Sequence, residues 1–352
     1  QFNGSLGERL QYVSGRYYFR QDLEANAPNV LLVNLRTLSD QTLTSYAAYV
    51  DGSYAFNERF SLSLGGRYTR DKKEVTQSAR LPSGVFLFQD VSGDKSWTEF
   101  SPRLALDFKA TPDVLFYASW SEGFKSGAVI GGRPATADVA NDFTDPETAK
   151  TAEIGVKSQW LDDRLRINLA LFDTDYENQQ ASFRDPATNI MNVVAADAKI
   201  RGAELEATAR LAEPLTIYLT AGWLDSEYRN VDPGHPAFGL DVQLKQIPEW
   251  AYKIGFEYRR PVGAAGDFVL GANYLSSAEI PRDVANNPIV TTEEYQTLDA
   301  QMSFESQDGR WRISLSGENL TGEEYWTMGT APFARFYAPE QVWALSLRYS
   351  LD

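Results

Sequence analysis

Three carboxylates spaced two residues apart are the first side chains in this sequence that could bind an ion. Asp173, Asp175 and Glu177 alternate with Thr174 and Tyr176, directly after an apolar stretch. Alternate residues of a β-strand lie on one face, so the three carboxylates would lie side by side. Oxygen ligands of this kind suit Ca²⁺, which takes about six to eight of them. The simpler interpretation is the solvated end of a strand.

Residues for catalysis are scarce. The single histidine, His235, lies between Gly234 and Pro236, and the sequence contains no cysteine. Nucleophilic hydrolysis would require the His235 loop to fold back near a serine, and thiolate chemistry is excluded. The motif SEGFKSG at Ser121–Gly127 has two glycines and a lysine. It lacks the G-x-x-x-x-G-K spacing of a phosphate-binding loop. We therefore expect neither an enzyme nor a bound cofactor.

The elements that would position these residues are amphipathic strands, and the last one shows the pattern most clearly. Its apolar face carries Trp343, Leu345, Leu347, Tyr349 and Leu351. Strict alternation predicts a strand with one apolar face and one polar face. Large aromatic residues near both ends suit a strand that faces lipid, and Arg348 then faces the lumen.

The connections between strands alternate in length along the whole chain. Long segments such as Gln21–Gln41, Asp71–Ser96 and Gln180–Ala198 alternate with short turns, and the last strand is predicted at Ala334–Leu351. Outer-membrane barrels have short periplasmic turns and long extracellular loops. The sequence therefore predicts an all-β fold, an antiparallel transmembrane β-barrel with about fourteen strands in this chain.

Composition fits this architecture and excludes others. The chain has 352 residues, a net charge of −15 and 13% aromatic residues. No clustered Lys/Arg footprint suited to nucleic acid is visible. Charged residues on the polar faces, such as Arg67, Glu153 and Glu204, would be prohibitive in a dry core. They are ordinary in a water-filled lumen.

Several longer segments carry a family resemblance. These are SEGFKSG, the segment Asp145–Gln180 with its PET…AEIGVK and RINLALFDTDY motifs, the segment Ile200–Tyr228, and SGENLTGEEYW at Ser316–Trp326. Together with the final strand they resemble the TonB-dependent outer-membrane receptors. The resemblance covers nearly the whole chain but only the C-terminal portion of such a receptor. One feature departs from the family, whose barrels usually finish on an aromatic residue, whereas Leu351 and Asp352 end this sequence.

The resemblance implies a domain organisation and a function. Residues 1–352 would be the C-terminal part of a barrel of about 22 strands. A plug domain with a TonB-contacting segment is expected upstream, and the absence of an initial Met agrees with this. The implied function is energised uptake of a scarce ligand across the outer membrane of a Gram-negative bacterium. The expected ligand is a ferric siderophore or a similar iron complex. The other implied partners are outer-membrane lipid and a TonB-type energy-transducing protein, with no nucleic acid.

The resemblance also points to loop residues that would bind ligand. Binding surfaces favour aromatic and arginine side chains as anchors. The loop candidates are Phe124, Lys125, Phe183, Arg184, Phe238, Tyr325 and Trp326, with Phe143, Tyr228 and Phe333 as further ones. Each of them could instead pack a loop or lie in the membrane interface. No metal ligand is expected among them.

Three other interpretations remain open at the level of sequence. The strand count fits a self-contained passive channel of fatty-acid-transporter or porin type, which would conduct ions in planar bilayers. A membrane-embedded hydrolase would depend on His235. A soluble β-sandwich would be extracted without detergent.

Overall fold

The computed structural model describes residues 1–29, 35–128, 143–184, 191–231, 242–330 and 334–351, which form seventeen strands. The first nine strands are β1 Phe2–Leu6, β2 Leu10–Asn29, β3 Leu35–Ala55, β4 Phe60–Arg80, β5 Phe86–Thr111, β6 Val114–Lys125, β7 Glu147–Trp160, β8 Leu165–Arg184 and β9 Met191–Ala212. The others are β10 Leu215–Val231, β11 Trp250–Pro261, β12 Gly266–Ser277, β13 Tyr295–Ser306, β14 Trp311–Glu318, β15 Trp326–Thr330, β16 Ala334–Tyr337 and β17 Val342–Tyr349. Among the described residues, no helix is long and apolar enough to cross a membrane.

Fifteen of these strands form one antiparallel sheet in which neighbours in sequence are neighbours in space. The one exception is β17, which pairs with β14, because β15 and β16 form a separate hairpin between them. The predicted all-β antiparallel architecture is confirmed, but the main sheet has fifteen strands rather than about fourteen. The prediction of one continuous strand at Ala334–Leu351 is wrong, because Pro339 and its neighbours separate β16 from β17.

The strands extend well beyond the length that a bilayer requires. β3 and β4 each have 21 residues, whereas an oblique crossing needs about 9–11. Most residues of the predicted loops Gln21–Gln41, Asp71–Ser96 and Gln180–Ala198 are strand, and these loop predictions are wrong. The reason is physical. Beyond the bilayer both faces of a strand can be polar, so the apolar alternation that marks a strand disappears while the ladder of hydrogen bonds continues.

The polar face of the sheet is the buried face. On β4, Ser63 and Thr69 are 9% and 7% exposed, whereas Leu64 and Tyr68 are 56% and 54% exposed. This is the reverse of a soluble protein, in which exposed apolar patches of this kind are small. The arrangement is typical of a sheet that curves around its polar face and turns its apolar face to lipid. We call these the lumen face and the outer face.

Glycine and tyrosine make complementary pairs on the lumen face. A side chain on Gly155 would lie 2.5 Å from the Tyr117 ring, and one on Gly255 would lie 2.6 Å from the Tyr218 ring. The rings therefore occupy the space that a Cβ atom would take, which is the pairing known to stabilise glycines in sheets. Tyr117 also donates a hydrogen bond to Glu153 at 2.7 Å. As a result these rings lie along the wall instead of filling the lumen.

Candidate functional site

Two groups of residues hold the bases of long loops against the strands. The first clamp consists of Lys73, Trp97, Gly127, Phe143 and Gln180. The second clamp consists of Arg282, Thr292, Trp326 and Arg335.

Trp97 is the centre of the first clamp. It lies opposite Asp71 on the lumen face of β5 and is buried. The Phe143 ring meets it edge-on, with 5.6 Å between ring centroids. The Lys73 and Lys95 ammonium groups lie 5.9 and 5.5 Å from the Trp97 ring centroid, within the range of cation–π attraction. The described end of the loop that follows β6, at Phe143, is thereby packed onto the wall.

Backbone carbonyl groups complete the first clamp. The Lys73 ammonium donates to the Gly127 carbonyl at 2.5 Å, and the Gln180 amide donates to the Ser126 carbonyl at 3.0 Å. The Thr144 N–H donates to the Ala128 carbonyl at 2.8 Å, which ties the two ends of the loop together. A Cβ atom on Gly127 would lie 2.7 Å from Trp97 Cζ2, so only glycine fits at this position.

The two sequence candidates nearest the first clamp have different surroundings. Phe124 packs against the cluster of Val75, Trp97 and Phe143. Lys125 pairs with Glu147 at 3.1 Å and keeps 59% of its side chain exposed. Lys125 therefore stays open to a ligand, whereas Phe124 helps to hold the loop.

A loop core lies between the two clamps. Tyr228 and Leu244 are almost fully buried in it, together with Val284 and alanines of β8 and β9. The Leu244 N–H donates to the Ser226 hydroxyl at 3.3 Å, which brings the segment after β10 back onto the strand. Burial lowers the pKa of Lys245, and the Asp283 carboxylate opposes this effect. Tyr228 is thus a packing residue of the loops.

Trp326 is the centre of the second clamp, and its polar groups are all paired. Its indole N–H donates to the Val290 carbonyl at 3.4 Å, and its own carbonyl accepts from the Thr292 hydroxyl at 2.8 Å. Arg282 reaches the same carbonyl at 3.4 Å, and the Arg335 guanidinium lies 4.3 Å from the Trp326 ring centroid. The β15–β16 hairpin is thereby fixed to the loop between β12 and β13.

Tyr325 stacks beside the second clamp. Its ring is nearly parallel to that of Tyr295, with 4.1 Å between centroids. Burial raises the pKa of Tyr325, and the neighbouring Tyr295 and Asp299 add to the effect. The side chain is partly exposed, so it can pack the loop and still present an edge to a ligand.

The three alternating carboxylates lie on the outer face, where basic residues neutralise them. Lys199 reaches Asp173 at 2.8 Å and Asp175 at 3.0 Å, and Lys150 reaches Glu177 at 2.7 Å. Across the described ranges, no group of three or more His, Cys, Asp or Glu side chains could hold a metal ion. This arrangement fits the simpler interpretation, in which the three carboxylates lie at the solvated end of a strand.

The remaining sequence candidates are only partly placed. Phe183 and Arg184 end β8 and pair with Asn192 and Met191 of β9. Phe238, Phe333 and His235 lie outside the described residues. Sequence reasoning missed Trp97, Lys73 and Gln180. The signal for Trp97 was its position on the lumen face, where a large apolar ring has no lipid to contact.

Comparisons with known proteins agree with this architecture. Residues 1–320 match the family described as TonB dependent receptor-like, beta-barrel. The chain belongs to this family. It is 31% identical over 233 residues to the metal-pseudopaline receptor CntO of Pseudomonas aeruginosa, covering 64% of this chain and 31% of that protein. It is 25% identical over 313 residues to the probable TonB-dependent siderophore receptor PiuA of Acinetobacter baumannii, covering 86% of this chain and 39% of that protein.

Solved structures show the same fold at low sequence identity. The ferric yersiniabactin uptake receptor FyuA of Yersinia pestis superposes with a TM-score of 0.79 at 19% identity. That superposition covers 98% of this chain and 52% of the other. The chain thus spans about half the length of the solved receptor and about a third of the curated relatives it matches.

Proposed function

We propose that this chain is the C-terminal part of the barrel of an outer-membrane receptor that imports a ferric siderophore or a similar iron complex. Transport would be driven by a TonB-type protein acting through a plug domain. The observation that carries the proposal is the pair of clamps, which hold loop bases at the end of the sheet with the long connections. Loops held in this way can close around a ligand above the lumen.

The proposal divides the work between the two ends of the barrel. The lumen face is lined by charged and small side chains, so it suits a wet wall around a polar plug. The loop end combines partly exposed aromatic rings with Lys125, which suits capture of a bulky anionic chelate. This division of work supports a receptor, and we propose a receptor and not an enzyme.

The names of the relatives support the choice of ligand. Those proteins are named as receptors for metal–pseudopaline, for siderophores and for ferric yersiniabactin. What they share is a metal held by an organic chelator. We therefore propose the same chemical class here, with iron as the metal.

Uptake of radioactive iron by cells tests the proposal. A receptor-null strain carrying the full-length gene should accumulate iron from at least one chelate in a panel of catecholate, hydroxamate, citrate and mixed-ligand complexes. Accumulation should stop when an uncoupler removes the proton-motive force. Uptake that persists with the uncoupler would refute energised transport, and steady ion conductance in planar bilayers would then favour the passive channel.

A further inference from the structure

Two β-bulges flank one residue of β9, Asp197. On β8, two residues, Glu177 and Asn178, oppose the single residue Asp197. On β10, Asn230 pairs with the same Asp197, and Arg229 is the extra residue. We call this arrangement the double bulge. Bulges bend a strand and are common beside functional sites, where they change the direction of a side chain.

The Asp197 carboxylate holds both bulges. One oxygen accepts the Asn178 backbone N–H at 3.0 Å, and the other accepts the Asn230 side-chain amide at 3.2 Å. Asn178 has a φ of 54°, a left-handed conformation that asparagine adopts more readily than most residues. Hydrogen bonds to a carboxylate are stronger than those between neutral groups. Asp197 therefore fixes the position of the extra residue in both neighbouring strands.

The bulge on β8 determines which side chains face the lumen beyond it. Tyr176 and Gln179 both pair with alanines on one face of β9, although they are three positions apart. In a regular strand, residues three apart lie on opposite faces. The extra residue thus turns Ala181 toward the loop core and Gln180 toward the first clamp. Without it, these two consecutive side chains would exchange faces.

Gln180 connects the double bulge to the exposed cation of the first loop. Its side-chain amide donates to the Ser126 carbonyl at 3.0 Å. Its backbone N–H donates at 3.0 Å to an oxygen of Glu147, and the same oxygen accepts from the Lys125 ammonium at 3.1 Å. The Glu147 side chain is mostly buried, whereas that of Lys125 is exposed. The double bulge therefore positions Lys125 through Gln180 and Glu147.

We propose that Asp197 is a positioning residue for capture of an anionic ferric chelate, an inference that rests on the proposed function. By holding the double bulge, Asp197 places Gln180. Gln180 then holds Glu147, which presents the Lys125 ammonium to the chelate. Asp197 itself lies on the outer face of β9, two positions from Lys199, so it acts through these contacts and not on the ligand.

An exchange of two side chains gives the sharpest test. Asp197→Asn keeps one acceptor oxygen, so it loses one of the two hydrogen bonds. Adding Asn230→Asp restores the pair with donor and acceptor reversed, because the amide at position 197 then donates to the carboxylate at position 230. Asp225→Asn removes the same charge from an exposed position on the outer face of β10 and is the control. All variants are made in the full-length receptor.

Amide exchange without ligand shows whether the strand beyond the bulge is displaced. Protection of the Gln180 amide should fall about tenfold in Asp197→Asn, the factor that corresponds to one hydrogen bond to a charged group. It should return to the unmodified level when Asn230→Asp is added. The control Asp225→Asn should leave it unchanged.

Ligand binding and uptake show whether this position matters for capture. The probes are the panel of ferric complexes, in which the tris-catecholate and citrate complexes are anionic and the tris-hydroxamate complex is neutral. Asp197→Asn should raise the half-saturating concentration of an anionic complex about fivefold, the upper range for an exposed charge pair. The maximal uptake rate should not change. In a Lys125→Gln background, Asp197→Asn should have no further effect on affinity.

The outcomes separate this proposal from the proposed function. Unchanged exchange in Asp197→Asn, no recovery with Asn230→Asp, an unchanged affinity, or an equal loss in the Lys125→Gln background would overturn it. Binding of the neutral complex alone would overturn it and leave the proposed function intact, whereas binding of no complex in the panel would overturn both.

A second pair of variants tests the bulge through the backbone. Heat-modifiable migration on gels shows whether each variant has folded, and Asn178→Val replaces Asp197→Asn if the latter has not. Its β-branched side chain disfavours a positive φ, so it should have the same effects. Asn178→Gly keeps the left-handed conformation and is its control. Equal behaviour of these two variants would also overturn the proposal.

Discussion

Both clamps hold the base of a loop, but they differ in whether their buried polar groups have hydrogen-bond partners. In the second clamp, the Trp326 indole N–H and backbone carbonyl both have partners. In the first clamp, the Trp97 indole N–H and one oxygen of Asp71 are buried without a hydrogen-bond partner. A buried polar group left unpaired costs about 1–3 kcal/mol. Opening the first clamp should therefore cost less free energy than opening the second.

This difference matters for a receptor whose loops close over a ligand. Elements that move are drawn from the less stable parts of a structure. The loop that follows β6 is tied down by carbonyl contacts and one tryptophan, whereas the β15–β16 hairpin is fixed by two arginines, a threonine and a tryptophan. We expect the first loop to respond to ligand and the hairpin to stay in place.

The largest expected effect is the loss of the Trp326 side chain. Trp326→Ala removes a buried ring, which costs about 3–5 kcal/mol of local stability. Amide exchange in the segment 280–292 of the full-length receptor should become much faster, because the Trp326 indole N–H donates to the Val290 carbonyl within the loop that the Ile280–Thr292 bridge closes. Trp343→Ala, at an exposed ring of the outer face, is the control and should leave that segment unchanged. Equal protection in both variants would contradict the assignment of the second clamp.

A side chain at position 127 should disrupt the first clamp. Gly127→Ala forces a new methyl group against Trp97 and the Thr144 carbonyl, and overpacking of this kind costs about 1–3 kcal/mol. The Thr144 amide should then exchange faster. Gly222→Ala is the matched control, since a Cβ atom at Gly222 has no neighbour within 4 Å. An unchanged Thr144 amide would show that the loop base is not held where the structure places it.

The same substitution in both clamps should have unequal effects. Trp326→Phe removes an indole N–H that has a partner and costs about 1 kcal/mol for the hydrogen bond alone. Trp97→Phe removes an N–H that has none, so it should be milder and could stabilise the loop base. Exchange rates of Thr292 and Thr144 amides measure the two effects. A larger loss from Trp97→Phe would reverse the proposed order of stability.

The smallest expected effect is a dependence on alkaline pH at Tyr325. Its pKa is raised above the ordinary value of 10.0, with burial as the largest cause. A raised pKa means that the stabilising contribution is complete below pH 10.0 and is lost as the pH rises through the folded value. Ultraviolet absorbance should show a group of tyrosines that ionise late, and Tyr325→Phe should reduce that group by one. Ionisation of all exposed tyrosines together, Tyr325 included, would speak against the stacked pair.

Much of the fold could be predicted from the sequence. The alternation of Trp343, Leu345 and Leu347 indicates a lipid-facing strand, and the long and short connections indicate which end carries the loops. The upper halves of β4 and β5 could not be predicted, because Lys72 and Glu74 carry no apolar signal. They continue the strand through backbone hydrogen bonds, which do not depend on side-chain type.

The candidate site was harder to predict for a different reason. An aromatic residue that anchors a ligand and one that anchors a loop look alike in sequence, since both follow a strand into a long connection. Trp326 was selected as a ligand residue, yet the structure buries it under Arg335. Lys125 was selected on the same ground and remains exposed. Only the packing of loops that are distant in sequence separates the two roles.

The hairpin between β14 and β17 has a consequence for the order of assembly. Each earlier strand of the sheet can pair with its predecessor as soon as the chain has turned. In contrast, β17 has to pair with β14 across the inserted β15–β16 hairpin. Closing such a connection costs less entropy when the intervening residues are already compact. Packing of the Trp326 ring would thus already matter during folding, before any ligand binds. It would make the β15–β16 insertion compact and so bring β17 to the edge of β14. A protein that lacks this ring should fold into the membrane more slowly, even if its finished barrel is the same.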